Sequence, residues 1–540
     1  MRKSAAFLAL VIVTFACGSG TTGGSSSNGT PKQGGTLVIG ETEEPDYLNP
    51  VLYTLATSYD VVSAIDDPMA AIDNTGKLIP KLATSWGVAT DGLTYTFHLR
   101  QGVTWQDGQP FTSDDVKFTY ESFVNPNVNA VTTTGWSSID HVDTPDATTV
   151  IYHLKSLYAG FLDTVAPQPL VPRHILGKSA DFNKDPYNRM PIGTGPFQVT
   201  EWKSADHITM TAYPNYWGGK PKLDKIVFRI VPDQTTLLNQ LKTGEVNLAY
   251  GMNAQQIADL RAIPNHALSN LPGLQWYHID LKEVGFLTET VVRQALDYAT
   301  PKKQIVQSIL RGAGDVAYGD QSPISWAYEP NVTHHDYNIA KAKQMLADDG
   351  FTPGSDGTLQ KGGVPFVMTL YAVSGDPVTQ QTVEVIDSSW AQLGIKMNPP
   401  GFQDSNSLYS PNGPQFNKNM TGLLYSWFNS NDPSDTYFWN SSQIPTNPQG
   451  GGGNLVCYFN KFSFQAQIDQ LTNAQDATVD QATRKHILSQ IQKLLADQVP
   501  DIFLWWNHLI SSSPKNFHGW LPAGVETGYF WNAGDWYYTT

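Results

Sequence analysis

The sequence predicts a mixed α/β protein with room for two or three cored domains. Three observations carry that expectation. The first is size and make-up: 540 residues with 15% charged and 11% aromatic side chains, 15 of them tryptophan, is a composition that folds and can bury several cores. The second is a strand signal. Thr94 to Leu99 alternates, with Tyr95, Phe97 and Leu99 on one face, directly after an Asp91-Gly92 turn. The third is a set of helical stripes further on. Val292, Ala295, Leu296 and Ala299 share one face of a helix over 291–299, and Ile339, Ala342 and Leu346 share one face over 338–349, with Gly350 as its stop.

The elements follow in order. Residues 1–16 read as an export signal: Arg2 and Lys3, then an apolar run from Ala5 to Ala16. That run is about 12 residues, short of the about 20 that cross a bilayer. Ala16-Cys17 resembles a bacterial lipobox, with Thr14 where that motif prefers Leu, so Cys17 is the expected lipidation site. Residues 17–35 are small and polar and read as a flexible tether. Thr36 to Gly40 is a short strand leading into an acidic, Pro-bounded loop. A second turn at Asp107-Gly108 suggests a hairpin between Tyr95–Leu99 and the segment around Val103–Trp105. Thr112 or Ser113 caps a helix over Asp114–Phe123 with both acids in its first turn. Val383–Leu393 and Thr478–Gln498 are further helices, and Ile502–Trp506 is a buried strand.

The net charge of −15 argues against nucleic acid or an anionic membrane surface as partner. No His or basic cluster flanks Cys457, which reads as a buried structural thiol. The sequence holds no GxSxG, HExxH, CxxC or GxxxxGK[ST] pattern, so no enzyme, cofactor or metal is expected. Gly193-Thr194-Gly195 lacks the Lys of a phosphate loop and suits a tight crossing turn instead. His334 and His335 are adjacent, so a regular element points them apart.

The longest informative stretch is Pro80–Glu121, PKLATSWGVATDGLTYTFHLRQGVTWQDGQPFTSDDVKFTYE. It resembles the signature of the family 5 extracellular solute-binding proteins, the receptors of peptide, oligopeptide and nickel ABC importers: LAxSWxxSxDGxTYTFxLRxGVxFxDGxPFTxxDVxFxxE. Pro191–Phe197 resembles the same family's P-x-GTGP-aromatic motif, and Glu201-Trp202, Asn215–Trp217, Pro232-Asp233 and Gly244-Glu245 follow at family spacing. The resemblance spans nearly all of Gly35 to about residue 510.

That resemblance implies a two-lobed periplasmic-binding-protein-like α/β fold with a hinge and an extra subdomain inserted in the first lobe. Residues 36–51, 191–285 and 512–540 would form lobe I, 52–190 the inserted subdomain and 286–511 lobe II. It implies a monomer that binds a small solute in the interlobe cleft, an oligopeptide or an oligosaccharide or chelate, and delivers it to ABC permease subunits. It places the protein outside the cytoplasm, anchored to the membrane through Cys17. A surface sensor or a hydrolase is the reading from a different class. Implied ligand contacts are Thr42 and Tyr47 in the first loop, and Trp427, Ser430 and Asp432 in GLLYSWFNSNDPSDTYFW. The aromatics Tyr53, Trp136, Trp326 and Tyr437 join them as candidates. Two departures stand out. The family position that pairs a peptide's amino group is Ser430, not Asp, and the Tyr371–Gln380 loop has no Arg for a peptide's carboxylate.

Overall fold

The computed structural model describes residues 29–131, 135–404, 407–408, 410–448, 452–525 and 528–540; the expected export signal and Cys17 lie outside them. The end of the expected tether is not free chain. Pro31 and Lys32 pair antiparallel with Thr539 and Tyr538, which ties the two ends of the body together.

Lobe I begins with β1 (Thr36–Glu41) and α1 (Ala56–Ile65). The chain leaves at Asp66-Asp67 for the inserted subdomain. There β2 (Ala83–Val88) and β3 (Thr94–Leu99) form the hairpin around Asp91-Gly92, with Gly92 at φ 69°. Tyr95, Phe97 and Leu99 are buried as their alternation requires. The expected partner of β3 around Val103–Trp105 is wrong: β3 pairs with β2 and β5, because the Asp91-Gly92 turn already supplies a neighbour. Helix α2 (Ser113–Val124) starts on a capping box between Thr112 and Asp115. β4 (Ile139–Asp146) and β5 (Thr149–Leu154) complete a four-stranded sheet in the order β2-β3-β5-β4.

The return to lobe I runs through Gly193-Thr194-Gly195. A Cβ at Gly193 would stand 2.1 Å from the Ile65 carbonyl oxygen, and one at Gly195 2.6 Å from it, so only glycine lets the two crossing segments touch. Thr194 locks the crossing by donating its hydroxyl to Asp66 at 2.8 Å. β6 (Phe197–Lys203), β7 (His207–Ala212), β8 (Lys225–Ile230) and β9 (Leu248–Ala249) then extend the lobe I sheet, with β1 parallel to both β8 and β9.

β10 (His266–Leu281) carries the chain into lobe II. There follow α3 (Thr290–Tyr298), α4 (Ile339–Asp348), β11 (Leu370–Val373), α5 (Pro377–Ala391), β12 (Gly401–Gln403) and β13 (Gly422–Phe428). Helix α5 begins earlier than the expected Val383 because Asp376 caps it and Pro377 occupies its first turn. The expected single helix over 478–498 is α7 (Gln481–Gln498), capped by Asp480 and preceded by a separate α6 (Gln465–Asp476). β14 (Asp501–Pro514) returns to lobe I.

One sheet therefore runs through both lobes, in the order β12-β11-β13-β10-β14-β9-β1-β8-β7-β6. The two long strands β10 and β14 are the crossing. On the lobe I side His266–Pro272 pair with Pro514–His508; on the lobe II side Trp276–Asp280 pair with Trp506–Asp501. Between them the ladder is broken at Gly273–Gln275, which is the place for a hinge. At the far end of β10, Ile279 and Leu281 pack in one core with Val292, Leu296 and Ile386. Cys457 is buried, its thiol on Gln465 at 3.4 Å, as a structural thiol should be.

Candidate interlobe solute site

In lobe II the candidates Trp427, Ser430 and Asp432 lie at the end of β13 and in the loop that follows. Asn429 fixes that loop: its side-chain oxygen accepts from Trp276 Nε1 at 2.8 Å and its amide donates to the Asp320 carbonyl. Trp427 is half-buried and donates Nε1 to the Tyr425 hydroxyl at 2.9 Å, which in turn donates to Asp280 at 3.1 Å. The Trp427 ring meets Tyr437 edge-on at 5.8 Å. Beyond it Ser430 is exposed, and Phe428 and Tyr437 are 65% and 47% exposed. The end of β13 therefore presents a polar hydroxyl among aromatic faces.

Asp432 is different. Its carboxylate takes both terminal nitrogens of Arg484 on α7, one at 2.6 Å, and the pair is nearly buried, with side chains 6% and 9% exposed. Arg484 also donates to Gln475 Oε1, and Trp326 lies with its ring 5.8 Å from the guanidinium. Asp476 is held by the Ser434 and Thr436 hydroxyls. Arg484 was invisible as a site residue in the sequence, yet it left a signal. It stands with Leu488, Ile491 and Leu495 on the buried stripe of α7, where a guanidinium needs a partner.

The inserted subdomain reaches this cluster from the other side. The Ala159 amide donates to the Asp476 carbonyl at 3.3 Å, and a Cβ on Gly160 would sit 3.0 Å from an Asp432 carboxylate oxygen. Burial, and then the negative charge of Asp432, push Asp163 up to about 6. Gly76 of the subdomain likewise approaches Asn431 and Val525. The inserted subdomain and lobe II are therefore in contact at this cluster.

In lobe I the candidates Thr42 and Tyr47 lie in the loop after β1. Tyr47 is exposed and Thr42 half-buried. Asp46 ties the loop down: although its partial burial works against ionisation, hydrogen bonds from Ser58 and Thr54 hold its carboxyl below the usual range. Glu44 accepts from Trp202 Nε1 and the Ala205 amide, both at 2.9 Å. Deeper, burial pushes Glu41 up to about 7 and Asp60 up to about 8, with Tyr250 donating to Asp60 at 3.0 Å. Tyr53 is half-buried with its ring 6.1 Å from Tyr59.

Of the candidate contacts, Trp326, Trp427, Ser430, Asp432 and Tyr437 belong to lobe II, and Thr42, Tyr47 and Tyr53 to lobe I. Trp136 is the exception. It is 1% exposed and stacked on Phe123 at 4.4 Å and 5°, so it is a core residue of the inserted subdomain and offers no face to a solute. His334 and His335 do point apart: His334 is exposed and stacks on Tyr318, while His335 is buried on Asp297.

This architecture defines a two-lobed binding protein, and comparison with known proteins gives the family. Residues 77–447 match the model of the bacterial extracellular solute-binding proteins, family 5. The chain is 30% identical over 527 residues to the oligopeptide-binding protein AppA of Bacillus subtilis, covering 95% of this chain and 94% of that one. It is 27% identical over 532 residues to the dipeptide-binding protein of Escherichia coli, covering 93% and 94%. The structure of B. subtilis AppA in complex with a nonapeptide superposes with a TM-score of 0.77 at 27% identity, over 95% of this chain and all of that one.

The chain belongs to the family 5 extracellular solute-binding proteins. Such proteins bind a solute rather than transform it. Among the described residues no helix is long and apolar enough to cross a membrane.

Proposed function

We propose that the chain is the substrate-binding receptor of an ABC importer, taking an oligopeptide-like solute between its lobes and delivering it to the membrane permease. The observation that carries the reading is the electrostatics of the lobe II loop. The position that would grip a free amino terminus is Ser430, and the next carboxylate along, Asp432, is spent on Arg484. The Tyr371–Gln380 loop holds no arginine, and its Asp376 is occupied capping α5 through Val378 and Thr379. A solute not held by charge at its ends must be held along its length, by main-chain groups and aromatic faces. That favours a longer or end-blocked peptide over a free dipeptide, and the nonapeptide bound by B. subtilis AppA is of that class. Thr42, Tyr47, Tyr53, Trp326, Trp427, Ser430 and Tyr437 are the contacts of this reading, with Asp432 acting through Arg484.

The exposed faces of Phe428 and Tyr437 beside Trp427 also suit the apolar faces of sugar rings, so an oligosaccharide is the second reading. In either case Cys17 carries the lipid that keeps the receptor at the membrane, which the intact mass of membrane-extracted protein tests.

The test of the solute is thermal unfolding of the chain from Gly29 onward, which keeps the Pro31–Thr539 pairing, against long peptides, dipeptides, oligosaccharides and metal chelates. A ligand at 100 times its dissociation constant adds about 2.7 kcal/mol to the folded state. Long peptides are expected to raise the midpoint. A rise with sugars or chelates alone would overturn the peptide reading.

A further inference from the structure

The outer face of the inserted subdomain carries a cluster that the solute site does not use. β4 is the edge strand of the four-stranded sheet, and β5 is its neighbour. Residues i and i+2 of a strand share a face, so His141 and Asp143 project together from β4. His153 on β5 stands directly opposite His141 in the register. The inward face is filled by Ile139, Val142, Val150, Tyr152 and Leu154, all buried, so the outward direction of the other three is forced by the core.

The geometry of the three side chains suits a metal ion. His153 Nε2 lies 3.2 Å from Asp143 Oδ2, and His141 Nε2 lies 3.8 Å from the same oxygen. Donors about 2.1 Å from a tetrahedral ion are about 3.4 Å apart, a value these two distances bracket. The imidazole rings are stacked at 4.3 Å and 12°, which presents both toward the same carboxylate.

Two further observations point to a cation. Asp140 Oδ2 lies 2.8 Å from His141 Nδ1. That contact takes the Nδ1 proton, so in the neutral ring the lone pair is on Nε2, facing a carboxylate oxygen that is itself an acceptor. This carboxylate–imidazole arrangement is what orients a ligating histidine. His153 Nε2, for its part, is screened from solvent and makes no hydrogen bond of acceptable angle, although Asp143 is close. Two acceptor ends and an unpartnered ring nitrogen converge on one point.

We propose that His141, Asp143 and His153 form a binding site for a divalent transition cation of the zinc or nickel class, with Asp140 as a positioning residue. Imidazole and a single carboxylate select such borderline ions over calcium or magnesium, which take oxygen donors. The remaining coordination positions face solvent. The contrast within the same protein is His278, Asp280 and Asp501. That trio also brings its donor atoms together, but it is buried around the Lys282 ammonium, 3.6 Å from Asp280, and so already contains its cation.

The test uses the chelator-treated protein without solute, titrated calorimetrically with Zn2+ and Ni2+, and with Co2+ as an optical probe of coordination. One saturable site per chain is expected. His153→Ala and His141→Ala should each abolish it. Asp140→Asn should weaken it by about 10- to 100-fold without altering stoichiometry. His207→Ala, at the separate exposed Glu201–His207 contact, should leave it unchanged. The proposal is overturned if the wild type shows no saturable uptake, or if the His141/His153 double variant binds as the wild type does. Because no peptide or sugar is present, either result leaves the solute reading untouched.

Discussion

Replacing Arg484 by alanine should be among the costliest single changes in lobe II. The side chain is 6% exposed and holds Asp432 through two hydrogen bonds and Gln475 through two more. Its removal leaves Asp432 buried without a cation, beside Asp476 and facing Asp163 of the inserted subdomain. Breaking a buried pair from one side costs about 3–5 kcal/mol. Asp432→Asn in the wild-type background should cost a similar amount, by stranding the guanidinium. The double variant Arg484→Met with Asp432→Asn should recover at least about 2 kcal/mol of the summed loss, because it removes both charges and keeps the methylene packing against Trp326. Urea unfolding followed by tryptophan fluorescence measures all three. Two results would refute the reasoning: an Arg484→Ala cost below about 1 kcal/mol, the range of an exposed pair, or a double variant whose loss equals the sum of the singles. The cluster also spans the lobe contact, so Arg484→Ala should shift the protein toward an open form, read as a larger radius of gyration in solution scattering.

Two other predictions follow from the same structure. Glu41 and Asp60 are acids whose folded values are raised by burial, to about 7 and about 8. The folded state therefore binds protons that the unfolded chain has released. Their contribution is full below the unfolded carboxylate range and is lost as pH rises through 7 to 8. For Glu41 the loss is about 3 kcal/mol, at 1.36 kcal/mol per pH unit, so unfolding at pH 5, 7 and 9 should show declining stability that Glu41→Gln flattens; an unchanged slope refutes it. Trp136→Ala should destabilise the inserted subdomain by about 3–5 kcal/mol with little change in solute affinity, whereas Trp427→Ala should weaken solute binding by more than about tenfold with a smaller stability cost. Calorimetry with the identified solute separates them, and a reversal of the two effects would move Trp136 back to the site.

Much of this protein could be read along the chain. The strand over Thr94–Leu99, the cap at Thr112 and the stop at Gly350 rest on residues within a few positions of one another, where backbone sterics and period decide. The family signature in Pro80–Glu121 is likewise a local pattern, and it gave the two-lobed architecture. What failed were pairings. The partner of β3 could not be chosen between a preceding and a following segment, since both turns were sound and only the folded sheet shows which edge was already taken. The ladder break inside β10 arises against β14, more than two hundred residues away. Trp136 and Trp427 look alike in sequence, but one is sealed against Phe123 and the other is only half-buried. Asp432 looked free to meet a solute until α7 brought Arg484 to it, and His141 met His153 only because β4 and β5 are paired in that register. Local sterics and hydrophobic period act between near neighbours and so are written in the sequence. Which charge meets which charge depends on distances set by the packing of whole elements, and the tertiary structure alone decided it.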